Sequence, residues 1–538
     1  ERRRLHGAFL AALSDPGRRR SSADLARHAV LADEHPTAYA ASIAAGDEAI
    51  AAGGPDEAAR HYALALDLLD SGLVDPDADG LLDLVTLTEK AAAAAAAAGH
   101  VLRAEAVVAA QLRRLPPGSP ALSRARLLIA RAEAAALSES PTDLAAVARE
   151  AVELVPADPP TSMRARAVAT YAMALATQRR DEEAVRWVDE GLAMPPDVRA
   201  GEPTAQLQTV MARITERGGD VGESERILRQ LLASLAGSGD LAEVRVLYQL
   251  AWIAMERGEL ASSLETFRRA ARRSTELGQP FAPYGANARV FAALVAYQLG
   301  EWDLVLSLTS TDGEQPPSLA AASFASIALA VRAGRGEAEG WQQLMTQIRA
   351  EWTTEGMIGI HSTAAAIDLY GNAGDLDHAL AVYDELLACV GALWGMTDFQ
   401  AQIRLVSLLL GQMASAAAHE RPERRAELLA RARELVAVAE SASGMGRRRE
   451  RGLESQAWLA RSRAEMLRLR RAAGKAVDPA ELTEAWRAAV DAFTHYGEPF
   501  EQARSQARYA AALRMVGDTA RSDAVARAAE EIALRLRA

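Results

Sequence analysis

The feature that most constrains this chain is a helix-hairpin pattern that recurs about every 40 residues along its length of 538 residues. Each unit has a long helix with an apolar stripe, a break that contains glycine, and a second helix whose small and large residues are four and three positions apart. Examples are Gly46…Gly53…Ala58-x3-Tyr62-x2-Ala65, Gly258…Ser263-x3-Phe267-x2-Ala270 and Gly374…Ala379-x3-Tyr383. One hairpin cannot bury its apolar face alone, so neighbouring hairpins must stack into a solenoid.

The breaks between the two helices of each hairpin are predicted at a glycine or an equivalent residue. They lie near Gly53, Gly99, Ser140, Arg180, Gly219, Gly258, Gly300, Gly334, Gly374, His419, Gly474 and Gly517. Glycine suits these places because a helix end often requires a positive φ. The spacing is longer than the 34 residues of a standard tetratricopeptide repeat, so we expect helices with nearly one extra turn.

The composition indicates packed helices rather than sheets. Apolar residues make up 50% of the chain but aromatic residues only 5%, and alanine, which dominates, costs no side-chain entropy in a helix. We therefore predict an all-α fold, a tetratricopeptide-like α-solenoid wound as a right-handed superhelix of about twelve hairpins. Residues 1–36 are predicted to form lead-in or capping helices, and residues 37–538 the repeat array.

Charge and cysteine content exclude several classes of function. A formal net charge of −12 argues against the whole chain being a nucleic-acid-binding surface. Cys389 is the single cysteine, so neither a disulfide framework nor a thiolate metal site is expected. The sequence shows no membrane span and no signal peptide, and we expect a cytoplasmic protein without a membrane partner.

The usual catalytic motifs are missing from the sequence. A phosphate-binding loop would need serine or threonine after its Gly-Lys pair, but Gly474-Lys475 is followed by Ala476. His419-Glu420 lacks the second histidine of a zinc-binding helix. We therefore expect no catalytic residue, no bound cofactor and no metal, and predict that this chain is not itself an enzyme.

A basic cluster stands out late in the chain, at Arg447, Arg448, Arg449 and Arg451, where a long helix over 447–473 is predicted. The cluster fits a solvated helix face that pairs with Glu450 and Glu454. A contact with nucleic acid or a nucleotide phosphate is the alternative.

First helices line the concave side of such a solenoid, and their inward positions are the candidate binding residues. Aromatic side chains beside arginine and asparagine can stack on a ligand and fix its polar groups. Residues 160–375 are therefore predicted to form a groove for an effector or a peptide, although Tyr248 and Trp252 also fit simple gap-filling between hairpins. The candidates are Arg166, Met173, Arg213, Arg245, Tyr248, Trp252, Asn287, Tyr297, Phe324, His361, Asp368 and Asn372.

Several segments resemble a known family. ERRRLHGAFLAAL, AAGDEAIAAGGPDEAARHYALALDLL and EKAAAAAAAAGHVLRAEAVV are similar to the helical sensor region of large ATP-binding transcriptional regulators of the LuxR type. AWRAAVDAFTHYGEPFEQARSQARYAAALRMVGD resembles the last repeats before their DNA-binding domain. The resemblance implies an actinobacterial signal-transduction NTPase whose helical array senses an inducer and controls oligomerisation and transcription. The family's ATP and DNA residues match no position here, so DNA contact would need a domain outside this chain.

Three hypotheses for function follow. The leading one is the effector-sensing, protein-interaction and oligomerisation region of a LuxR-type regulator, with a protein partner or a small-molecule effector in the groove. The alternative is a scaffold that docks a partner protein, or the helical region of an AAA-ATPase–adenylate cyclase protein. An α/α-toroid enzyme would need inward pairs of carboxylates, and Asp368 alone is inadequate for that.

Overall fold

The structure, a computed structural model, describes residues 1–13, 21–75, 83–396, 398–443 and 452–538. Every regular element in these ranges is helical, which confirms the predicted all-α class. The described helices fall into two leading helices and twelve successive pairs, in agreement with the predicted number of hairpins. The basic cluster at Arg447–Arg449 and Arg451 lies outside the described residues.

The leading helices and the first six pairs occupy the N-terminal half of the chain. They are α1 (Arg2–Leu13), α2 (Ser22–Leu31), α3 (His35–Ala51), α4 (Pro55–Asp70), α5 (Leu84–Ala97), α6 (Val101–Arg114), α7 (Ala121–Ala135), α8 (Leu144–Leu154), α9 (Ser162–Thr177), α10 (Asp181–Ala193), α11 (Glu202–Arg217), α12 (Val221–Leu235), α13 (Ala242–Glu256) and α14 (Leu260–Glu276).

The remaining six pairs follow, with one short 3-10 helix at Ala417–His419. They are α15 (Pro283–Gln298), α16 (Trp302–Thr309), α17 (Ser318–Gly334), α18 (Trp341–Arg349), α19 (Gly356–Asn372), α20 (Leu376–Trp394), α21 (Gln402–Ala416), α22 (Pro422–Ser443), α23 (Leu453–Ala472), α24 (Pro479–Tyr496), α25 (Pro499–Met515) and α26 (Thr519–Leu536).

The helix ends follow local sequence chemistry. Aspartate side chains cap several helices by accepting a hydrogen bond from a backbone amide three residues later, as Asp83 does from Thr86 at 2.9 Å and Asp220 from Glu223 at 3.0 Å. At the hairpin breaks, φ lies between +75° and +100°, as predicted, at Gly53, Gly99, Gly219, Gly258, Gly300, Gly374, Gly474 and Gly517.

The break predicted near Gly334 is present, but another glycine adopts the positive φ. Gly334 is the last residue of α17, and Gly336 instead adopts the positive φ, at +71°. Gly334 serves packing rather than turn formation, because a Cβ at this position would clash with the ring of Trp302, which is fully buried. The sequence pattern does not distinguish these two uses of glycine.

The chain divides into two compact units. Unit 1 comprises residues 1–248 and 269–287, and unit 2 comprises residues 249–268 and 288–538. In unit 1, α5, α7, α9 and α11 pack one after another, while each also packs on its hairpin partner. This is the repeat stacking predicted for a tetratricopeptide-like α-solenoid.

The motif residues of the first hairpin in unit 1 are packing residues. Ala58, Tyr62 and Ala65 are buried, and Gly46 leaves the space that the Tyr62 ring occupies. The Tyr62 hydroxyl donates a hydrogen bond to Asp47 Oδ1 at 2.6 Å, so the ring is fixed at both ends.

Unit 2 stacks α17, α19, α21 and α23 in the same manner, but it also closes on itself. Gln298 Nε2 of α15 donates a hydrogen bond to the Tyr496 hydroxyl at the end of α24, at 2.9 Å. The ring centroids of Trp302 in α16 and Phe500 in α25 lie 4.9 Å apart. Such contacts join helices about 200 residues apart in the sequence, which simple nearest-neighbour stacking does not provide.

We predict that Gly334→Ala destabilises the protein even though alanine is the better helix former. The added methyl group must displace the buried Trp302 ring, and overpacking of this kind costs about 1–3 kcal/mol, more than the gain of about 1 kcal/mol in helix propensity. The measurement is the thermal unfolding midpoint by circular dichroism.

Gly222→Ala in α12 is the matched control for that substitution. A Cβ at Gly222 has only the Asp220 carboxylate oxygen near it, at 3.8 Å, so the midpoint should stay constant or rise. Equal midpoints for Gly334→Ala and the wild type would contradict the packing role of Gly334.

Candidate functional site

Unit 2 contains a cavity of about 380 Å³, within the usual size range of small-molecule sites. Its lining side chains come mainly from α13, α15, α19, α21 and α23, the first helices of their hairpins, as the sequence predicted for a binding surface. Six aromatic residues contribute to the lining: Trp252, Phe291, Trp394, Phe399, Trp458 and Tyr496.

Contacts between aromatic rings hold the walls of the cavity in place. Trp252 packs edge-to-face on Phe291, with 5.0 Å between the ring centroids, and Trp394 packs likewise on Phe399 at 5.7 Å. Trp458 packs edge-to-face on Phe493 at 5.1 Å. Aromatic pairs with this geometry stabilise each other beyond the area that they bury, so the walls are formed before any ligand arrives.

Arg404 of α21 is the unusual residue of the lining. Its guanidinium carbon lies 5.8 Å from the ring centroid of Tyr297 and 5.6 Å from that of Trp458. Its Nε is buried without a hydrogen-bond partner, and Arg404 forms no ion pair with any residue in the described ranges. Burial opposes the charge of this guanidinium, but the longer-range electrostatic influence of Tyr297, Glu498 and Glu454 outweighs burial and leaves the pKa of Arg404 above its usual value.

The other ionisable groups around the cavity form no direct ion pair with Arg404 among the described residues. Burial, together with the charge of Arg404, lowers the pKa of His361 to about 3, so this imidazole is neutral at physiological pH. Burial raises the pKa of Glu454 above its ordinary value. Burial also raises the pKa of Glu498 to about 7, although Arg404 opposes that shift. These carboxyl groups therefore hold protons more tightly than exposed glutamates do.

A buried ionic network lies behind the cavity and joins α19, α21, α23 and α25. Arg504 of α25 donates two hydrogen bonds to Asp368 of α19, at 2.8 and 2.9 Å, and Gln412 of α21 donates a third at 3.0 Å. Glu501 of α25 pairs with Arg461 of α23. Although burial raises the pKa of Asp368, the charge and hydrogen bonds of Arg504 outweigh it and leave that pKa below its usual value.

The structure places two of the predicted groove residues, Trp252 and His361, in the lining of the cavity. Tyr297 is buried beneath Arg404, and Asp368 faces Arg504 rather than a solvent-filled groove. Phe324 is buried below the guanidinium of Arg289, 4.5 Å from its ring centroid. The predicted Asn372 is exposed at the end of α19.

The predicted residues of unit 1 are engaged in its own packing or are exposed. Arg166 donates hydrogen bonds to Glu133 at 2.9 Å and to Glu89 at 3.0 Å, linking α9 to α7 and α5. Arg245 pairs with Glu202 at 2.7 Å. Met173 packs on the core of unit 1, and Tyr248 packs edge-to-face on Tyr284. Arg213 is half-buried, and Asn287 is exposed.

Sequence reasoning missed Arg404, Trp394, Glu454, Trp458 and Tyr496. All five lie beyond residue 375, where the predicted groove ended. One signal was present, because the chain has only eight tryptophans among its 538 residues and three of them, Trp394, Trp458 and Trp486, lie beyond residue 375. Large aromatic residues in an alanine-rich solenoid mark places where helices are held apart.

In the described part of the chain, no helix is long and apolar enough to cross a bilayer. The same ranges hold no group of three or more histidine, cysteine, aspartate or glutamate residues that could bind a metal ion.

Comparison with known proteins gives remote structural likeness. No protein-family model matches the chain, and no curated protein matches it. It is similar to Scc4 in a complex with Scc2n, at a TM-score of 0.44 and 11% identity, with 98% of each chain covered. It is also similar to the APC/C hetero-tetramer Cut9-Hcn1, at a TM-score of 0.35 and 12% identity, with 94% of this chain and 95% of that chain covered.

Yeast Tom70 has a TM-score of 0.29 and 12% identity, with 91% of this chain and 95% of that chain covered. Because these scores and identities are low, the fold is defined by the helices of this chain and not by the likeness to these structures.

We predict that Glu498→Gln changes how the stability of the protein depends on pH. The pKa of Glu498 in the folded protein, about 7, exceeds the ordinary value of 4.5, so the folded state binds this proton more tightly than the unfolded chain does. In the wild type, this group's stabilising contribution is full below about pH 4.5 and is lost as the pH rises through 7, by about 1.4 kcal/mol per unit of pKa shift.

The variant should therefore unfold at a higher temperature than the wild type at pH 8 and at a similar temperature at pH 4. Glu484→Gln is the control, because Arg487 holds the pKa of the exposed Glu484 below its usual value. The pH dependence of the stability that Glu484 contributes therefore has the opposite sign. Parallel melting curves for Glu498→Gln and the wild type across this pH range would show that Glu498 is not a raised-pKa group.

Proposed function

We propose that unit 2 is the sensor of this chain and that its cavity binds a small organic effector. The observation that carries this proposal is an aromatic cavity of about 380 Å³ whose lining includes Arg404, an arginine that forms no ion pair with the described residues and whose Nε has no hydrogen-bond partner among them. A ligand that fills the cavity and accepts a hydrogen bond from this guanidinium would gain both contacts.

Ligand binding at this cavity would favour the closed arrangement of unit 2. The lining includes Gly258, at the break between α13 and α14, and Leu453, the first residue of α23. These two touch so closely that a Cβ at Gly258 would lie 2.9 Å from Leu453 Cδ1. A ligand that contacts both Gly258 and Leu453 binds better when these two residues are close together. This difference in affinity shifts the population toward the closed arrangement of unit 2.

In the wider proposal, this sensor belongs to a LuxR-type transcriptional regulator, as the sequence resemblance implies. An NTPase domain outside this chain would respond to closure, and the array itself would remain non-catalytic. The competing hypothesis, a scaffold that docks a partner protein, predicts instead that binding depends on an exposed surface and not on the cavity.

The test uses 2-naphthoate and the uncharged 2-naphthamide as aromatic probes, with affinity measured by calorimetry. Trp252→Ala removes one wall, and Ala364→Phe places a ring where a small buried side chain now lines the cavity. We expect each substitution to weaken binding of the tighter probe at least about tenfold, equivalent to about 1.4 kcal/mol.

Trp187→Ala is the matched control, because Trp187 is also half-buried but packs on Tyr171 in unit 1. Circular dichroism should show that all variants keep the helical content of the wild type. Unchanged affinity in both cavity variants, or an equal loss with Trp187→Ala, would reject the cavity as the effector site.

A further inference from the structure

The arginines near the cavity differ in whether they form an ion pair. Arg504 is paired with Asp368, Arg461 with Glu501, and Arg468 with Glu465 at 2.6 Å. Arg404 lines the cavity and has neither an ion pair nor a hydrogen bond among the described residues. The carboxylates of that network are thus engaged by other arginines, and Arg404 interacts with Glu454 and Glu498 without a direct ion pair.

The guanidinium of Arg404 lies near two aromatic rings. Rings of Tyr297 and Trp458 lie near the guanidinium, at 5.8 and 5.6 Å between the guanidinium carbon and the ring centroids. Rings in such positions interact with the charge but accept no strong hydrogen bond from its N–H groups. A guanidinium presents these donors as a planar fork, which matches the two oxygens of a carboxylate.

The charges around the cavity favour a ligand with one negative charge. Arg404 offers a positive charge that is not held in an ion pair with a described residue, and the His361 imidazole nearby is neutral. The carboxyl groups of Glu256 and Glu454 also line the cavity, so a dianion such as a phosphate monoester would meet more repulsion than a monoanion. Glu256 accepts a hydrogen bond from the Trp252 indole at 2.9 Å.

The rest of the ligand must match an apolar wall. Trp252 lies on α13 and Phe291 on α15, the first helices of two successive hairpins. Trp394 is the last residue of α20, and Phe399 lies in the loop before α21. Aromatic walls of this kind favour a flat body that can stack, with its polar group at one end.

We propose that the cavity of unit 2 binds an aromatic monocarboxylate, whose carboxylate forms a bidentate ion pair with Arg404 and whose ring system stacks among Trp252, Phe291 and Trp394. This inference rests on the proposed effector-binding function and adds the chemical class of the effector.

The test compares three naphthalene probes of similar shape at pH 7.5: 2-naphthoate, 2-naphthamide and 2-naphthylmethylammonium. Calorimetry on the wild-type chain should show that 2-naphthoate binds at least about tenfold more tightly than the amide and that the ammonium compound binds most weakly. This comparison needs no substitution, so it does not depend on the folding of any variant.

Substitutions then assign the preference to Arg404. Arg404→Met should remove the preference for 2-naphthoate over the amide, and Arg404→Lys should restore part of it. Glu454→Gln should keep or increase the affinity for 2-naphthoate, because it removes a competing carboxylate from the cavity. Arg213→Met, a half-buried arginine of unit 1, is the control and should have no effect.

The outcomes separate the two proposals. If the amide or the ammonium compound binds as tightly as 2-naphthoate, and Trp252→Ala weakens that binding, the cavity is an effector site but the carboxylate inference is wrong. If Arg404→Met leaves the preference for 2-naphthoate intact, Arg404 is not the anion-binding residue and the inference is again wrong. If none of the three probes binds at millimolar concentration, both proposals fail.

Discussion

The ion pair between Asp368 and Arg504 is the interaction on which the arrangement of unit 2 depends. It joins α19 to α25 across 136 residues of sequence, with two parallel hydrogen bonds, and both groups are largely removed from water. Burying two charges is costly and is repaid only when the geometry is good and the remaining oxygen positions are satisfied. Here the geometry is bidentate, and Gln412 satisfies a further position on the Asp368 carboxylate.

This closure distinguishes unit 2 from a simple stack of hairpins. In such a stack each repeat contacts its neighbours, and the inner surface of the first helices faces solvent. In unit 2 the C-terminal helices pack against α15, α16 and α19, through Tyr496, Phe500 and Arg504. The inner surface is thereby divided between an ionic network and an aromatic cavity, and the Arg404 side chain in the cavity forms no ion pair with the described residues.

The features that local sequence determines could be predicted. The residue that ends a helix with positive φ must be glycine in most cases, and the small residues that permit close approach, such as Ala58 beside Tyr62, follow helical spacing. These rules gave the all-α class, the hairpins and their breaks. They also placed first-helix side chains such as Trp252 and His361 on the inner surface, where both line the cavity.

The closure of unit 2 could not be predicted in the same way. Repeat register indicates that Asp368 points inward, but it does not show whether solvent, a ligand or another helix lies there. Arg504 in α25 is six helices and 136 residues from Asp368 in α19, and no periodic pattern in the sequence connects them. Arg404 was missed for a related reason, because its unusual feature is that it forms no ion pair with any described residue, which only the three-dimensional arrangement reveals.

A double-mutant cycle on Asp368 and Arg504 tests the central claim most directly, that a buried ion pair holds unit 2 closed. Asp368→Asn, Arg504→Gln and the double variant would be compared with the wild type by the opening free energies of α19 and α25, measured by hydrogen exchange. Our account predicts a coupling free energy of about 1–3 kcal/mol and loss of protection in both helices in each single variant. Additive effects, with a coupling near zero and protection lost in only one helix, would contradict it.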